Sequence, residues 1–473
     1  MKLSSLGPGC FYLEVPEVGL RILCGCPPDS VKSLKKLGFI YNQTVQGVVC
    51  ETGPNAILLG DLAVQADEIS NLTEFPVLHM LYKQGLGIPG HPNRASGKPM
   101  LIGRSPELSG QAEYIRRGNY GLYSEEEYQA LGLDEKTYKL YLEIKLQFAF
   151  GRFLETRELM DLVAFDQETL ELKGGLWLQR LEPNHFEARL GEERLEFDLN
   201  LTPLQRYQPT YSLPWRPLPQ GRFAVVHLGD GDGWDDKRPC LGSLLLVGEK
   251  RYLVDAGPFV SENLKHLGIG PQEVEGLFLT HVHDDHFGGF YGLFCQNPRL
   301  KVLATTRIFL TLLKKYAALT GKPEAYWRER IAFVPLVPGE WNRVGALEAR
   351  PLPSAHPIDT TLFLFRVNGE GGYKTYGHLT DIANLKVLSQ FAGNLKAPEA
   401  FERFEQELIE VYRAPLDIKK VDVGGGFVHG DAMDFATDPS PVLLLSHTTD
   451  PIPPGTYPKG VQTGFGDFHV LVP

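Results

Sequence analysis

Three imidazoles and two carboxylates crowd the six residues His281-Val282-His283-Asp284-Asp285-His286. Such groups are costly to bury without partners, which makes a metal the natural explanation for the cluster. The preceding run, Val274 to Thr280 (VEGLFLT), reads as a buried strand whose C-terminal end delivers the polar groups onto one loop. His281 and His283, two apart, point the same way and can serve one ion. Asp285 and His286 follow as the chain turns and can serve a second. Gly288 and Gly289 then let the backbone turn tightly into the next helix.

The run Thr280–Gly289 resembles the HxHxDH signature of the metallo-β-lactamase superfamily, and the resemblance extends over roughly 221–473. It implies an α/β fold, the αββα sandwich of that superfamily. It also implies that Asp255, at the end of Tyr252-Leu253-Val254-Asp255, supports the metal loop from behind the ligands. His356, in PLPSAH, and His447, in VLLLSH, fall where the family places its remaining imidazole ligands. The carboxylate that links both ions falls in Tyr376-Gly377-His378-Leu379-Thr380-Asp381. Position favours His378, directly after the glycine. Chemistry favours Asp381, because an anionic oxygen bridges two cations and a neutral imidazole normally binds one. Asp381 is the preferred reading, with His378 as its alternative.

The expected centre therefore holds one ion with His281, His283 and His356, and the other with Asp285, His286 and His447. Zinc is the first expectation from imidazole ligands, with manganese or iron compatible with the carboxylates. A hydroxide bridging two such ions forms near neutral pH and attacks a phosphorus or acyl carbon. The flavour of the motifs is similar to the phosphodiesterase-like branch of the superfamily, some of whose relatives are fused to a cyclic-nucleotide-binding domain, so a phosphodiester, a cyclic nucleotide among them, is the expected substrate. In that branch a non-ligand histidine protonates the leaving oxygen, and His429 in VDVGGGFVHGD stands in a comparable place. Asp285 and His429 are the catalytic candidates. The alternatives are a lactone or thioester hydrolase of the same fold, or a metal-binding sensor or scaffold without turnover.

The elements that must position these groups occupy two regions. A chain of 473 residues is too long for one core, so two domains are expected. The stretch LTPLQRYQPTYSLPWRPLPQ (201–220) is rich in Pro and aromatics, has no period, and reads as a linker. The division adopted is 1–210, an N-terminal α+β domain, and 211–473, the hydrolase domain. Ten of the thirteen histidines lie after residue 220. Within the first region, residues 8–39 can be laid over 238–269: both read hairpin, turn and short helix ending in Lys-x-Leu-Gly. A degenerate, metal-free repeat of the hydrolase half would explain this.

Elsewhere, NLTEFPVLHMLYKQG (71–85) is expected to be helical, and residues 136–165 one long helical stretch. The six cysteines lack zinc-ribbon spacing and read as small buried hydrophobes in strands. Net charge is −11 without a basic run, which disfavours extended nucleic acid and favours a small-molecule substrate. No apolar run is long enough for a membrane span, and the N-terminus lacks the apolar core of a secretory signal, so the cytoplasm is the expected location. A homodimer is compatible with the sequence.

Overall fold

The computed structural model describes residues 1–391, 395 and 398–473. The chain divides into two compact units: Met1–Arg116, Leu154–Thr210 and Lys314–Trp327 form the first, and Arg117–Phe153, Tyr211–Leu313 and Arg328–Pro473 the second. The segment 117–153, which sequence reading left in the N-terminal region, thus folds within the second unit.

In the second unit, one sheet orders its strands as Ala332–Pro335, Lys301–Ala304, Gly276–Phe278, Lys250–Val254, Gly242–Val247, Phe223–Gly229 and Phe468–Val472. A second sheet of six strands runs from Asn342–Val344 through Leu347–Pro353, Thr361–Gly369, Gly372–Leu379 and Ile418–Asp422 to Val442–Ser446. The period of two along each strand decides what lies between them. In Thr361–Gly369, Phe363, Phe365 and Val367 join Phe278, Val254 and Leu245 in one core. Leu362 and Leu364 face the other way, into a core with Phe401, Phe404 and Leu408 of the helix Pro398–Arg413. Both faces of that sheet are therefore covered, as the α/β sandwich requires.

The first unit repeats much of this plan. Its main sheet runs Lys2–Gly7, Cys10–Val15, Leu20–Cys24, Ala56–Leu58, Met100–Gly103 and Asp161–Ala164. The first three strands pair antiparallel and the rest parallel. The second unit shows the same sequence of pairings from Phe223–Gly229 to Ala332–Pro335. The overlay of 8–39 on 238–269 holds in backbone detail. Gly25 and Asp255 both have positive φ (75° and 65°), as do Asp29 and Phe259 (58° and 61°) and Gly38 and Gly268 (78° and 71°). Gly25 N donates to Leu58 O at 2.9 Å, and Asp255 N donates to Phe278 O at 2.9 Å. The first unit's second sheet is an antiparallel meander over Thr169–Asp198 and has no counterpart of the strands Ile418–Asp422 and Val442–Ser446.

Two local expectations need correction. The stretch 136–165 is not one helix: it ends at Phe148, because Phe150 and Gly151 adopt φ of 52° and 82°, and Asp161–Ala164 is a strand. Five cysteines are buried, but Cys295 is exposed, on the helix Phe290–Gln296.

Candidate metal centre

The strand Gly276–Phe278 ends beside the parallel strand Lys250–Val254, which brings Asp255 under the histidine loop. Asp255 Oδ1 accepts from Thr280 N at 2.9 Å, and Oδ2 accepts from Thr280 Oγ1 at 2.7 Å and His286 Nδ1 at 2.9 Å. The last bond commits Nδ1 of His286 as a donor and leaves Nε2 to face the site. His283 makes the opposite choice. Its Nε2–H donates to Gly118 O at 3.0 Å, so Nδ1 is the inward nitrogen, 3.3 Å from His356 Nε2.

Asp381 stands at the centre, two residues past the strand Gly372–Leu379 and at a φ of 46°. Its Oδ2 lies 3.4 Å from both His281 Nε2 and His356 Nε2. Its Oδ1 lies 3.1 Å from His286 Nε2 and 3.5 Å from His447 Nε2. His447 Nε2 is in turn 3.1 Å from Asp285 Oδ2 and 3.2 Å from His286 Nε2. Two sets of ligand atoms result, one around each oxygen of Asp381. His281 and His356 lie nearest Oδ2, with His283 in the same cluster; His286 and His447 lie nearest Oδ1, and Asp285 Oδ2 approaches their Nε2 atoms at 3.5 and 3.1 Å.

His378 is placed differently. Its Nδ1 bonds the Tyr376 hydroxyl at 2.9 Å, within a chain that continues to Ser243. It contributes no atom to the clusters of potential ligands among the described residues.

Sequence reasoning overlooked Asp422. Its Oδ2 accepts from His429 Nδ1 at 3.0 Å and Ile382 N at 3.1 Å, and its Oδ1 accepts from Gly424 N at 2.9 Å. With these donors it is already satisfied and acts as an orienting group, although it lies close enough to Asp381, His429 and His447 to form a third candidate ligand cluster. The signal available in sequence was an aspartate closing the β-rich run before the glycine triplet, seven residues from His429.

The donor set fits divalent cations. Imidazole nitrogens from different loops face each other at 3.2 and 3.3 Å, an approach that a shared proton or a cation between them relieves. Buried His281 Nε2 and Asp285 Oδ1 have no hydrogen-bond partner among the described residues. Burial lowers the pKa of His281 to about 4 and pushes His356 well down, which keeps both rings neutral, as a ligand must be. Burial alone would raise the Asp381 and Asp285 carboxyls, yet neighbouring imidazoles, chiefly His447 and His286, hold both well below the usual carboxylate range.

The other histidines lie outside this arrangement. His227 Nε2 and His469 Nδ1 pair with each other at 3.2 Å. His79 bonds Glu51 at 2.9 Å, His185 bonds Glu196 at 2.7 Å, and His91 caps the short helix Pro92–Ser96.

Residues 236–304 match the model of the metallo-beta-lactamase superfamily. A cGMP-dependent 3',5'-cGMP phosphodiesterase A of Dictyostelium discoideum is 28% identical over 141 residues, covering 30% of this chain and 16% of that one. Ribonuclease TTHA0252 of Thermus thermophilus is 36% identical over 115 residues, covering 22% and 27%. The chain thus spans well under a third of the length of these relatives. Among solved structures, a diphosphatase of the PhnP family is similar at 15% identity, with a TM-score of 0.38 over 52% of this chain and 96% of that one. No described helix is long and apolar enough to cross a membrane.

Proposed function

We propose that this chain is a binuclear metal-dependent hydrolase of phosphodiester bonds, with a small molecule such as a cyclic nucleotide as substrate. The observation that carries the reading is the division of Asp381 between two ligand sets, Oδ2 toward His281 and His356, Oδ1 toward His286 and His447. A single carboxylate so placed could be shared by two cations, one for each set of imidazoles. The names of the relatives, a phosphodiesterase and a ribonuclease, support phosphodiester chemistry over lactone or thioester cleavage.

Two divalent ions, zinc first among them, supply Lewis acidity and lower the pKa of a water to about 7. The protein's own part is orientation and proton transfer. Asp255 fixes the His286 tautomer, and burial of His281 and His447 keeps bulk water from the ligand atoms. Of the two imidazoles beside Asp422, His429 is the more exposed and His447 the more buried, and Asp422 anchors Nδ1 of His429. A protonated His429 is suited to donate to the leaving oxygen, and Asp422 counters the burial that disfavours that charge.

The test is hydrolysis of bis(p-nitrophenyl) phosphate by protein reconstituted with zinc or manganese, beside Asp285→Ala. Turnover in the wild type that is lost in Asp285→Ala supports the reading. Stoichiometric metal without turnover on phosphodiesters, lactones or thioesters would favour a sensor or scaffold.

A further inference from the structure

The ligand loops are held from an unexpected direction, by a segment that precedes the whole metallo-β-lactamase match in sequence. The segment 117–153 comprises the end of the helix Ser105–Tyr120 and the helices Glu125–Gln129 and Glu135–Phe148. It reaches two ligand-bearing loops and the loop of His429. Gly118 O accepts the Nε2–H of His283 at 3.0 Å. Asp359, three residues beyond His356, accepts from Lys145 Nζ at 2.6 Å, Tyr128 OH at 2.8 Å and Leu122 N at 3.2 Å. Phe148 packs edge-on against Phe427, two residues before His429, with ring centroids 5.5 Å apart.

From these contacts we infer that residues 117–153 form an integral wall of the metal centre, whose Gly118 carbonyl and Lys145–Tyr128–Asp359 cluster are positioning groups for His283 and His356. The inference rests on the metal-site reading above. Its physical basis is the tautomer. An imidazole that ligates through Nδ1 needs its proton on Nε2, and an acceptor at Nε2 selects that form. Gly118 O supplies the acceptor. The Asp359 cluster acts on the neighbouring ligand by another route. Lys145 Nζ also donates to Tyr120 O at 3.1 Å and Leu122 O at 2.7 Å, so one buried ammonium ties the carbonyls following Gly118 to the loop of His356. Arg307 Nη1, 3.6 Å from Asp359 Oδ1, adds a second cation to the same carboxylate. Such a buried, multiply bonded carboxylate fixes geometry more than it adds stability. The inward nitrogens of His283 and His356 face each other at 3.3 Å, so both devices would bear on the same ion.

Two measurements test this. The first is metal content and resistance to a chelator in wild type and Tyr128→Phe, a variant that removes one hydroxyl and keeps the ring. Positioning predicts a folded variant, judged by circular dichroism, that loses one class of ion at about tenfold lower chelator concentration and regains it with added zinc. A lower melting temperature with unchanged zinc affinity would mean mere support and would overturn the inference. The second measurement uses the zinc-loaded wild type with 15N-labelled histidine, its His283 signals assigned from their absence in His283→Asn. A proton on Nε2 of His283 is expected; a proton on Nδ1 overturns the role of Gly118. Wild-type protein that binds no zinc or manganese overturns the reading of the site itself, and the inference with it.

Discussion

Asp422 holds the imidazole of His429 by its Nδ1 at 3.0 Å, so the ring's orientation is set from behind. If His429 delivers a proton to the leaving oxygen, His429→Ala will slow cleavage according to how much the leaving group needs that proton. The expected loss in kcat is about 10²–10⁴-fold for alkyl phosphodiesters. It should be much smaller for bis(p-nitrophenyl) phosphate, whose nitrophenolate leaves unaided. A plot of log kcat against leaving-group pKa, steeper in the variant than in the wild type, is the check. Parallel plots would remove His429 from acid catalysis.

Asp381 and His378 are separated by two residues and should respond oppositely to substitution. Asp381→Asn keeps a residue type that tolerates the positive φ but removes the shared anion, so metal content should fall from two ions to about one or fewer. His378→Ala removes a ring bonded to Tyr376 and should leave both ions in place. Elemental analysis of the two purified variants decides; loss of metal in His378→Ala alone would reverse the assignment.

Asp255→Asn keeps size and backbone preference while weakening the acceptor that faces His286 Nδ1 and Thr280. Metal affinity should drop about 10–100-fold, as for other partners of ligating histidines. Competition with a chromogenic chelator measures this directly, and an unchanged competition curve would argue against the tautomer-fixing role.

Stability should depend most on the seam between the two sheets of the second unit. Phe278 is fully buried and meets Tyr252, Phe363 and Phe365 at ring distances of 5.8, 5.5 and 5.0 Å. Phe278→Ala should cost about 3–5 kcal/mol, seen as an earlier denaturant midpoint for the unit that carries the metal centre. A loss under 1 kcal/mol would mean that the seam repacks around the gap.

What could be read from the sequence follows from how local each feature is. The loop His281–His286 carries its candidate ligands within six residues. The resemblance to the superfamily's motifs pointed to His356 and His447 at strand ends, and the structure brings both rings to that loop. Asp381 emerged from a chemical argument about bridging charge, and its two oxygens lie between the two ligand sets. Asp422 was passed over because its meaning depends on the parallel pairing of Ile418–Asp422 with Val442–Ser446, which sets it beside His447. Gly118 and Lys145 were beyond reach, since they meet partners 165 and 214 residues away. The expected long helix failed at Phe150, a left-handed residue that no periodicity announces.

Asp255, Asp381 and His447 all occupy left-handed backbone, at φ of 65°, 46° and 61°. Each such non-glycine residue costs about 1–3 kcal/mol, so the centre is held open against the fold's own comfort. The first unit shows the relaxed solution: Gly25 keeps the conformation of Asp255 without its carboxylate. A laboratory selection for heat resistance alone would therefore drift toward glycine or asparagine at these positions. It would collect sturdier molecules with emptier centres, a stability–activity trade-off written into three dihedral angles.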